Sequence, residues 1–217
     1  VSDGLFVTGT GTGVGKSVVA AVLARGAACA GATVGVFKPA ASGLDDGGES
    51  DPALLRRASG SPQSEEEIAP YRYGPPISPH LGAELDGTEI DPARLIAAAG
   101  AAGRGRDLLI CEGVGGILVP LAPGYLVRNL AADLALPLVI AASPGLGTIN
   151  HTLLTVEAAW AADLEVRAVV LTPWPKRPTR VHRSNLETIA ELAGVDVLTL
   201  PRIDLDDPVG WPDLGLL

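Results

Sequence analysis

No apolar run in these 217 residues is long enough to span a bilayer, although 47% of them are hydrophobic and the mean hydropathy is +0.31. Gly, Pro or Asp interrupts the longest candidates. The first residues also lack a basic region and a cleavage site, because an apolar strand-like run begins almost at once. Cytoplasm is the expected location, and no membrane partner is expected. Cysteine is scarce. Cys29 sits in an alanine-rich helical stretch and Cys111 in an apolar run, and neither has CxxC or zinc-ligand spacing, so both read as small buried hydrophobes. His80, His151 and His182 are too scattered to make a metal constellation. Positive charge is short as well: 16 Lys and Arg against 25 Asp and Glu, a net charge of −9 and a pI near 4.7. That balance argues against general nucleic-acid binding, which needs basic surface to displace counterions.

What is present alternates. Short apolar runs at 5–8, 33–37, 108–111, 138–142, 167–171 and 195–200 predict strands. Helix-forming stretches at 16–30, 52–58, 92–102, 127–135, 148–162 and 180–193 lie between and after them, with Gly31 and Gly194 placed as C-terminal caps. The runs are continuous rather than alternating, as in parallel sheets covered by helices on both faces. The expected fold is α/β, a mostly parallel open sheet in a single domain spanning 1–217, with ligands beyond the carboxyl ends of the strands.

The most informative stretch follows the first strand: Thr8-Gly9-Thr10-Gly11-Thr12-Gly13-Val14-Gly15-Lys16-Ser17. Strand, glycine loop and helix in that order let backbone N–H groups converge on an anion at the positive helix end. Gly15-Lys16-Ser17 closes a P-loop, with Lys16 for the β/γ-phosphates and the Ser17 hydroxyl for Mg²⁺. Thr10 stands where the common spacing puts the first glycine, so the loop is one residue longer, and the Rossmann spacing fails. The alternative is a chance glycine-rich turn, which would not require the strand, the lysine and the hydroxyl together.

Other strand ends carry further candidates. Lys38, then Pro39 and Ser42, follows the second strand; the plain alternative is a solvent-facing lysine. Glu112 ends the third and resembles a Walker-B placement, where a carboxylate helps to hold nucleotide-bound Mg²⁺; the plain alternative is a rim carboxylate. Asp51-Pro52-Ala53 reads as an N-cap followed by proline, as does Asp91-Pro92-Ala93. Residues 60–85 look irregular and proline-rich; Glu65–Glu67 reads as a solvated acidic face, and Tyr71, Tyr73 and His80 as packing residues, with lining a pocket as the alternative. Gly145–Asn150 opens a second glycine-rich helix start, with free N–H groups for a carboxylate, or with Thr148 as a simple N-cap. Thr172-Pro173-Trp174 reads as a stiff turn after the fifth strand, whose tryptophan stacks on a base or covers the core.

Together these motifs resemble the dethiobiotin synthetases. The matching segments are Val7–Thr10 with Val14–Ser17, Lys38-Pro39 with Ala41–Gly43, Pro70-Tyr71, Ser78–His80, Glu112–Gly116 and Leu146–His151. The resemblance implies a P-loop-type sheet and a homodimer with sites near the interface. It also implies closure of a cyclic urea from 7,8-diaminopelargonate, CO₂ or bicarbonate and ATP, through an N-carbamate and a carbamic-phosphoric anhydride. It puts the nucleotide against Gly13, Val14, Gly15, Lys16, Ser17, Val18, Glu112, Gly113, Val114, Gly115, Thr172, Pro173, Pro201, Arg202 and Ile203. The diamine is implied to meet Thr12, Lys38 and Ser42, and its carboxylate Gly147, Thr148, Ile149 and Asn150 of the partner subunit. Lys16 and Lys38 are the implied catalytic groups; Ser17, Asp51 and Glu112 are the implied Mg²⁺ ligands, so the resemblance overrides the capping reading of Asp51. In two places the chain departs from the pattern: Gly13 replaces an acidic residue common in relatives, and Thr172-Pro173 replaces the Asn-Asp that reads adenine. The second implies relaxed or altered base selection.

Two other classes fit less well. A nucleotide-switched ATPase that binds protein partners typically has another lysine early in the P-loop, and none precedes Lys16. An amidating relative would normally bring a glutaminase domain, for which 217 residues leave no room.

Overall fold

The computed structural model describes residues 3–217. Its centre is β1 (Gly4–Gly9), from whose carboxyl end the glycine loop leads into α1 (Lys16–Cys29). The next elements are β2 (Val34–Phe37), α2 (Asp51–Ser59), α3 (Glu65–Ile68), α4 (Pro79–Leu85), α5 (Pro92–Gly103) and β3 (Leu108–Glu112). A small hairpin follows, β4 (Pro120–Ala122) with β5 (Tyr125–Leu126), then α6 (Val127–Leu134) and β6 (Leu138–Ala142). The chain closes with α7 (Thr148–Trp160), β7 (Val166–Trp174), α8 (Arg180–Ala193) and β8 (Asp196–Pro201).

Six strands form one sheet in the order β2-β3-β1-β6-β7-β8, and every pairing is parallel. Successive residues point to opposite faces, so neighbours enter different cores. Phe6 packs with Leu109, Ile140 and Leu171 under α4 to α8, whereas Leu5 and Val7 pack with Val36, Ile110 and Val170 under α1 to α3. Both faces are therefore apolar, which accounts for the uninterrupted hydrophobic runs. Among the described residues no helix is long and apolar enough to cross a membrane.

All six expected strands and all six expected helices are present, and Gly194 caps α8 in the left-handed region (φ 61°). The differences have local causes. The stretch 60–85 contains two short helices, α3 started by a reciprocal Ser64–Glu67 capping box and α4 by Pro79. Glu65 is no solvated bystander, because its carboxylate accepts from Ser50 and pairs with Arg72. Tyr71 and Tyr73 are buried, as expected of packing residues, but His80, expected to pack with them, is exposed on the first turn of α4. Thr172–Trp174 continues β7 rather than turning, and the ladder to β8 shifts register between Leu171 and Trp174, across Pro173, which has no N–H to donate. Trp174 packs partly against the core and meets the His182 ring edge-on at 5.8 Å. Cys29 is exposed at the end of α1, contrary to the expected burial. Cys111 is buried, and burial pushes its thiol pKa up.

Candidate active site

Three neighbouring strands, β2, β3 and β1, deliver the charged groups to one place, and register is the reason. Phe37 and Phe6 both lie opposite Cys111, and Val7 lies opposite Glu112. The residues that follow, Lys38, Glu112 and the glycine loop, therefore emerge at the same height. They border a cleft of about 750 Å³, a size suited to a small-molecule ligand.

The loop bends through Gly13 (φ 73°) and Gly15 (φ 94°), a region costly for side chains. Gly15 is also crowded: a Cβ there would lie 2.7 Å from Thr172 Cγ2. Its N-cap position at α1 leaves the first N–H groups of the helix free to face an anion. Lys16 is buried and donates from Nζ to the Gly11 carbonyl at 2.8 Å. Burial lowers its pKa, with Lys38 adding repulsion, while Glu112 and Asp51 resist.

Beside it lies an ionic cluster. Lys38 Nζ is 2.6 Å from Glu112 Oε1 and 2.9 Å from Asp51 Oδ2. Ser17 Oγ donates to Glu112 Oε1 at 2.8 Å. Burial alone would lower the Lys38 pKa, but the two carboxylates outweigh it and hold the ammonium above its ordinary value. Burial likewise opposes charge on Asp51, yet Lys38, Ser17 and Lys16 hold its carboxyl below the usual range. Glu112, with no exposed surface, is pushed up by burial against the pull of Lys38 and Ser17.

Asp51 is not the cap of α2. Ser50 is, accepting from the Ala53 N–H at 3.2 Å, and Asp51 occupies the first helical turn with its carboxylate turned to Lys38. In the twin tripeptide Asp91 does cap, accepting from Ala93 N–H at 2.9 Å. The capping reading holds for one aspartate and fails for the other.

The residues present fit Mg²⁺. Glu112 Oε2 is buried without a hydrogen-bond partner, and Ser17 Oγ and the Asp51 carboxylate add hard oxygen donors around the same cluster. Two carboxylates and one hydroxyl do not complete a shell, and among the described residues no group of three His, Cys, Asp or Glu does so elsewhere. Mg²⁺ ordinarily keeps waters and takes phosphate oxygens for the remainder.

Part of the cleft lining comes from the segment that looked irregular in sequence. Ser42 and Gly43 line it together with Pro76, Ile77, Ser78 and Pro79, and the Gly43 N–H donates to Pro75 O at 3.0 Å, so the two stretches lie side by side. Six backbone hydrogen bonds join 38–45 to 68–75, among them Lys38 N–H to Ile68 O at 2.9 Å and Tyr73 N–H to Ala41 O at 2.8 Å. Gly82 lets the Tyr73 ring lie against α4, since a Cβ there would stand 2.6 Å from it. Sequence reasoning passed over Pro76 and Ile77; Ser78-Pro79 was visible only through the motif.

Of the expected site residues, Thr12, Gly13, Gly15, Lys16, Ser17, Val18, Lys38, Ser42, Asp51, Glu112, Val114 and Gly115 line the cleft. Val14 packs against the core beneath the loop, and Gly113 faces Phe6 and Val127. Thr172 touches the P-loop side at Gly15, and Trp174 pairs with Pro201 at the ends of β7 and β8, just before Arg202 and Ile203. Gly147–Asn150 begins α7 beyond β6 and is not among the residues that line the cleft, with Gly147 rather than Thr148 at the N-cap.

Comparison with known proteins agrees with this geometry. The AAA domain family profile matches residues 3–210. An ATP-dependent dethiobiotin synthetase of Anaeromyxobacter dehalogenans (strain 2CP-1) is 46% identical over 168 residues, 77% of this chain and 75% of that protein. The corresponding Bacillus velezensis protein is 40% identical over 201 residues, 92% of this chain and 86% of its own length. That of Bacillus subtilis (strain 168) is 37% identical over 196 residues, 90% and 85% respectively.

Proposed function

The chain belongs to the ATP-dependent dethiobiotin synthetases, and from that premise we propose how its residues divide the work of closing the ureido ring. The observation that carries the reading is the buried Lys38 ammonium, held by Glu112 and Asp51 directly beside the P-loop lysine. ATP and 7,8-diaminopelargonate meet in the cleft. One substrate amine adds to CO₂ and, after losing a proton, becomes a carbamate. Lys38 holds that anion against the γ-phosphate while Ser42 and Thr12 contact the diamine end. A carbamate oxygen attacks phosphorus, ADP leaves, and a carbamic-phosphoric anhydride results. The second amine then attacks the anhydride carbonyl and expels phosphate, closing the five-membered urea.

Little covalent chemistry falls to the protein; it positions the reactants and stabilises charge. Lys16 and the N–H groups of Gly13–Val18 receive the phosphates. Ser17, Asp51 and Glu112 would hold Mg²⁺, which when bound supplies charge neutralisation on the phosphate oxygens. Glu112–Gly115 borders the nucleotide, and Thr172, Pro173, Pro201, Arg202 and Ile203 form the shelf for its base.

The test is phosphate release from Mg-triphosphate with and without the diamine and bicarbonate. Release that depends on both substrates supports the synthetase; release indifferent to them favours a nucleotide-switched ATPase. A panel of triphosphates extends it. With Thr172-Pro173 at the base shelf and no carboxamide there, we expect kcat/KM values for ATP, GTP and CTP within about tenfold of one another. Strict ATP dependence would overturn that expectation.

Homodimerisation belongs to the same proposal, because the carboxylate-binding turn Gly147–Asn150 does not reach the cleft of its own chain. Leu146, in the turn just ahead of α7, is 98% exposed, and Leu154, within the helix, is 56% exposed. These two leucines offer apolar surface to a second copy. Leu154→Asp should shift the protein to monomer in sedimentation and raise the KM for the diamine; a wild-type protein already monomeric at assay concentrations would refute the arrangement.

A further inference from the structure

The turn that precedes α7 has little to hold it. Residues 143–147 include two glycines, Gly147 at φ 91°, and the fully exposed Leu146 at the tip. Its backbone bonds are few: the Thr148 N–H donates to Gly145 O at 3.3 Å, and the His151 N–H to Gly147 O at 3.2 Å. One side chain reaches it from the neighbouring helix. Asn185, buried on the inner face of α8, donates from Nδ2 to Pro144 O at 3.0 Å and to Gly145 O at 3.1 Å. Both partners are carbonyl oxygens, so the amide nitrogen must face them. Among the described residues no other side chain hydrogen-bonds to this turn.

We propose that Asn185 is a positioning residue for the substrate carboxylate. Its amide clamps the carbonyls of Pro144 and Gly145 and thereby aims the free N–H groups that open α7. The link is direct, because Gly145 O accepts from both the Asn185 amide and the Thr148 N–H, the first of the helix. With the clamp removed, a turn rich in glycine pivots, and N–H groups displaced by a fraction of an ångström no longer converge on an anion. The inference rests on the reading that Gly147–Asn150 receives the carboxylate of the diamine. It adds a residue from a different element, which touches neither substrate nor nucleotide.

Asn185→Asp is the sharpest variant. It is nearly isosteric, but an ionised carboxylate has no hydrogen to donate and repels the two carbonyls. Asn185→Ala removes the donors without adding charge and covers the case in which the aspartate fails to fold. Each is compared with wild type on two substrates: the diamine acid and the same diamine with its carboxylate converted to a primary amide. The expected result is a KM for the acid raised about tenfold, with kcat nearly unchanged and the KM for the nucleotide unaffected. The amide substrate should be used equally well by variant and wild type, and sedimentation should show the same oligomer. Equal losses on acid and amide, a changed nucleotide KM or a lost oligomer would make Asn185 merely structural and overturn the proposal. A wild-type enzyme indifferent to acid or amide would instead overturn the carboxylate reading beneath it, a failure recognisable without any variant.

Discussion

Lys38→Ala should lower turnover by about a thousandfold or more, with the KM for nucleotide changed far less. The ammonium pairs with Glu112 and Asp51, the proposed Mg²⁺ ligands, and is the group proposed to hold the carbamate; a methyl group there stabilises no charge. The variant also has a structural cost. Lys38 is the ion-pair partner of Glu112, which has no exposed surface. Removing one member of a buried pair costs about 3–5 kcal/mol, because the other charge is left unmatched. Against a typical total stability of about 5–15 kcal/mol, the variant folds but melts measurably lower. The double variant Lys38→Met/Glu112→Gln removes both charges, and should regain much of the melting temperature while remaining inactive. That separation makes the test specific. Near-normal turnover in Lys38→Ala would remove the lysine from the mechanism, and a double variant no more stable than the single would show that the pair is not what Lys38 stabilises.

Gly15→Ala should raise the KM for every nucleoside triphosphate by about a hundredfold, with smaller effects on the KM for the diamine. Two penalties coincide at this position. A left-handed backbone costs an alanine about 1–2 kcal/mol. The new methyl also falls 2.7 Å from Thr172 Cγ2, so loop or strand must move. Gly13→Ala provides the contrast, since Gly13 is left-handed too but has nothing within 4 Å of its Cβ direction. It should lose only a small part of the affinity. Adding Thr172→Ser to Gly15→Ala deletes the offending methyl and should recover part of the loss. Calorimetric titration of a non-hydrolysable triphosphate would measure all four proteins; equal affinity in wild type and Gly15→Ala would mean that the loop accepts phosphate in another conformation.

The sheet was legible because its signal is local and repeated: short continuous apolar runs that alternate with helix-forming stretches. Lys16, Ser17 and Glu112 could be found in that way, because each directly adjoins a strand or its loop. Asp51 could not be judged from its surroundings. Its tripeptide is the same as that at Asp91, and Ser50 is as good an N-cap as aspartate, so only the true helix start separates the two. Residues 60–85 were opaque for a different reason. Their order comes from backbone bonds to 38–45, some thirty residues away, and the side chains carry little trace of such bonds. Asn185 is a stronger case, since its partners lie 41 and 40 residues back in the chain. Cys29 was misjudged because an alanine-rich helix carries almost no contrast between its faces, and Cys29 is its last residue.

The six bonds that lace 38–45 to 68–75 also decide how the cleft behaves as a measuring device. Ser42, Pro76 and Ile77 are carried side by side on a single stitched frame, so this part of the cleft lining holds its shape as one unit. On the proposed placement of the substrate, selection among chemically similar diamines would fall to the side-chain volume of this frame. A chain that grew longer by one methylene would be resisted by Pro76 and Ile77 themselves, and selectivity here would evolve by exchanging those two side chains without disturbing the phosphate loop.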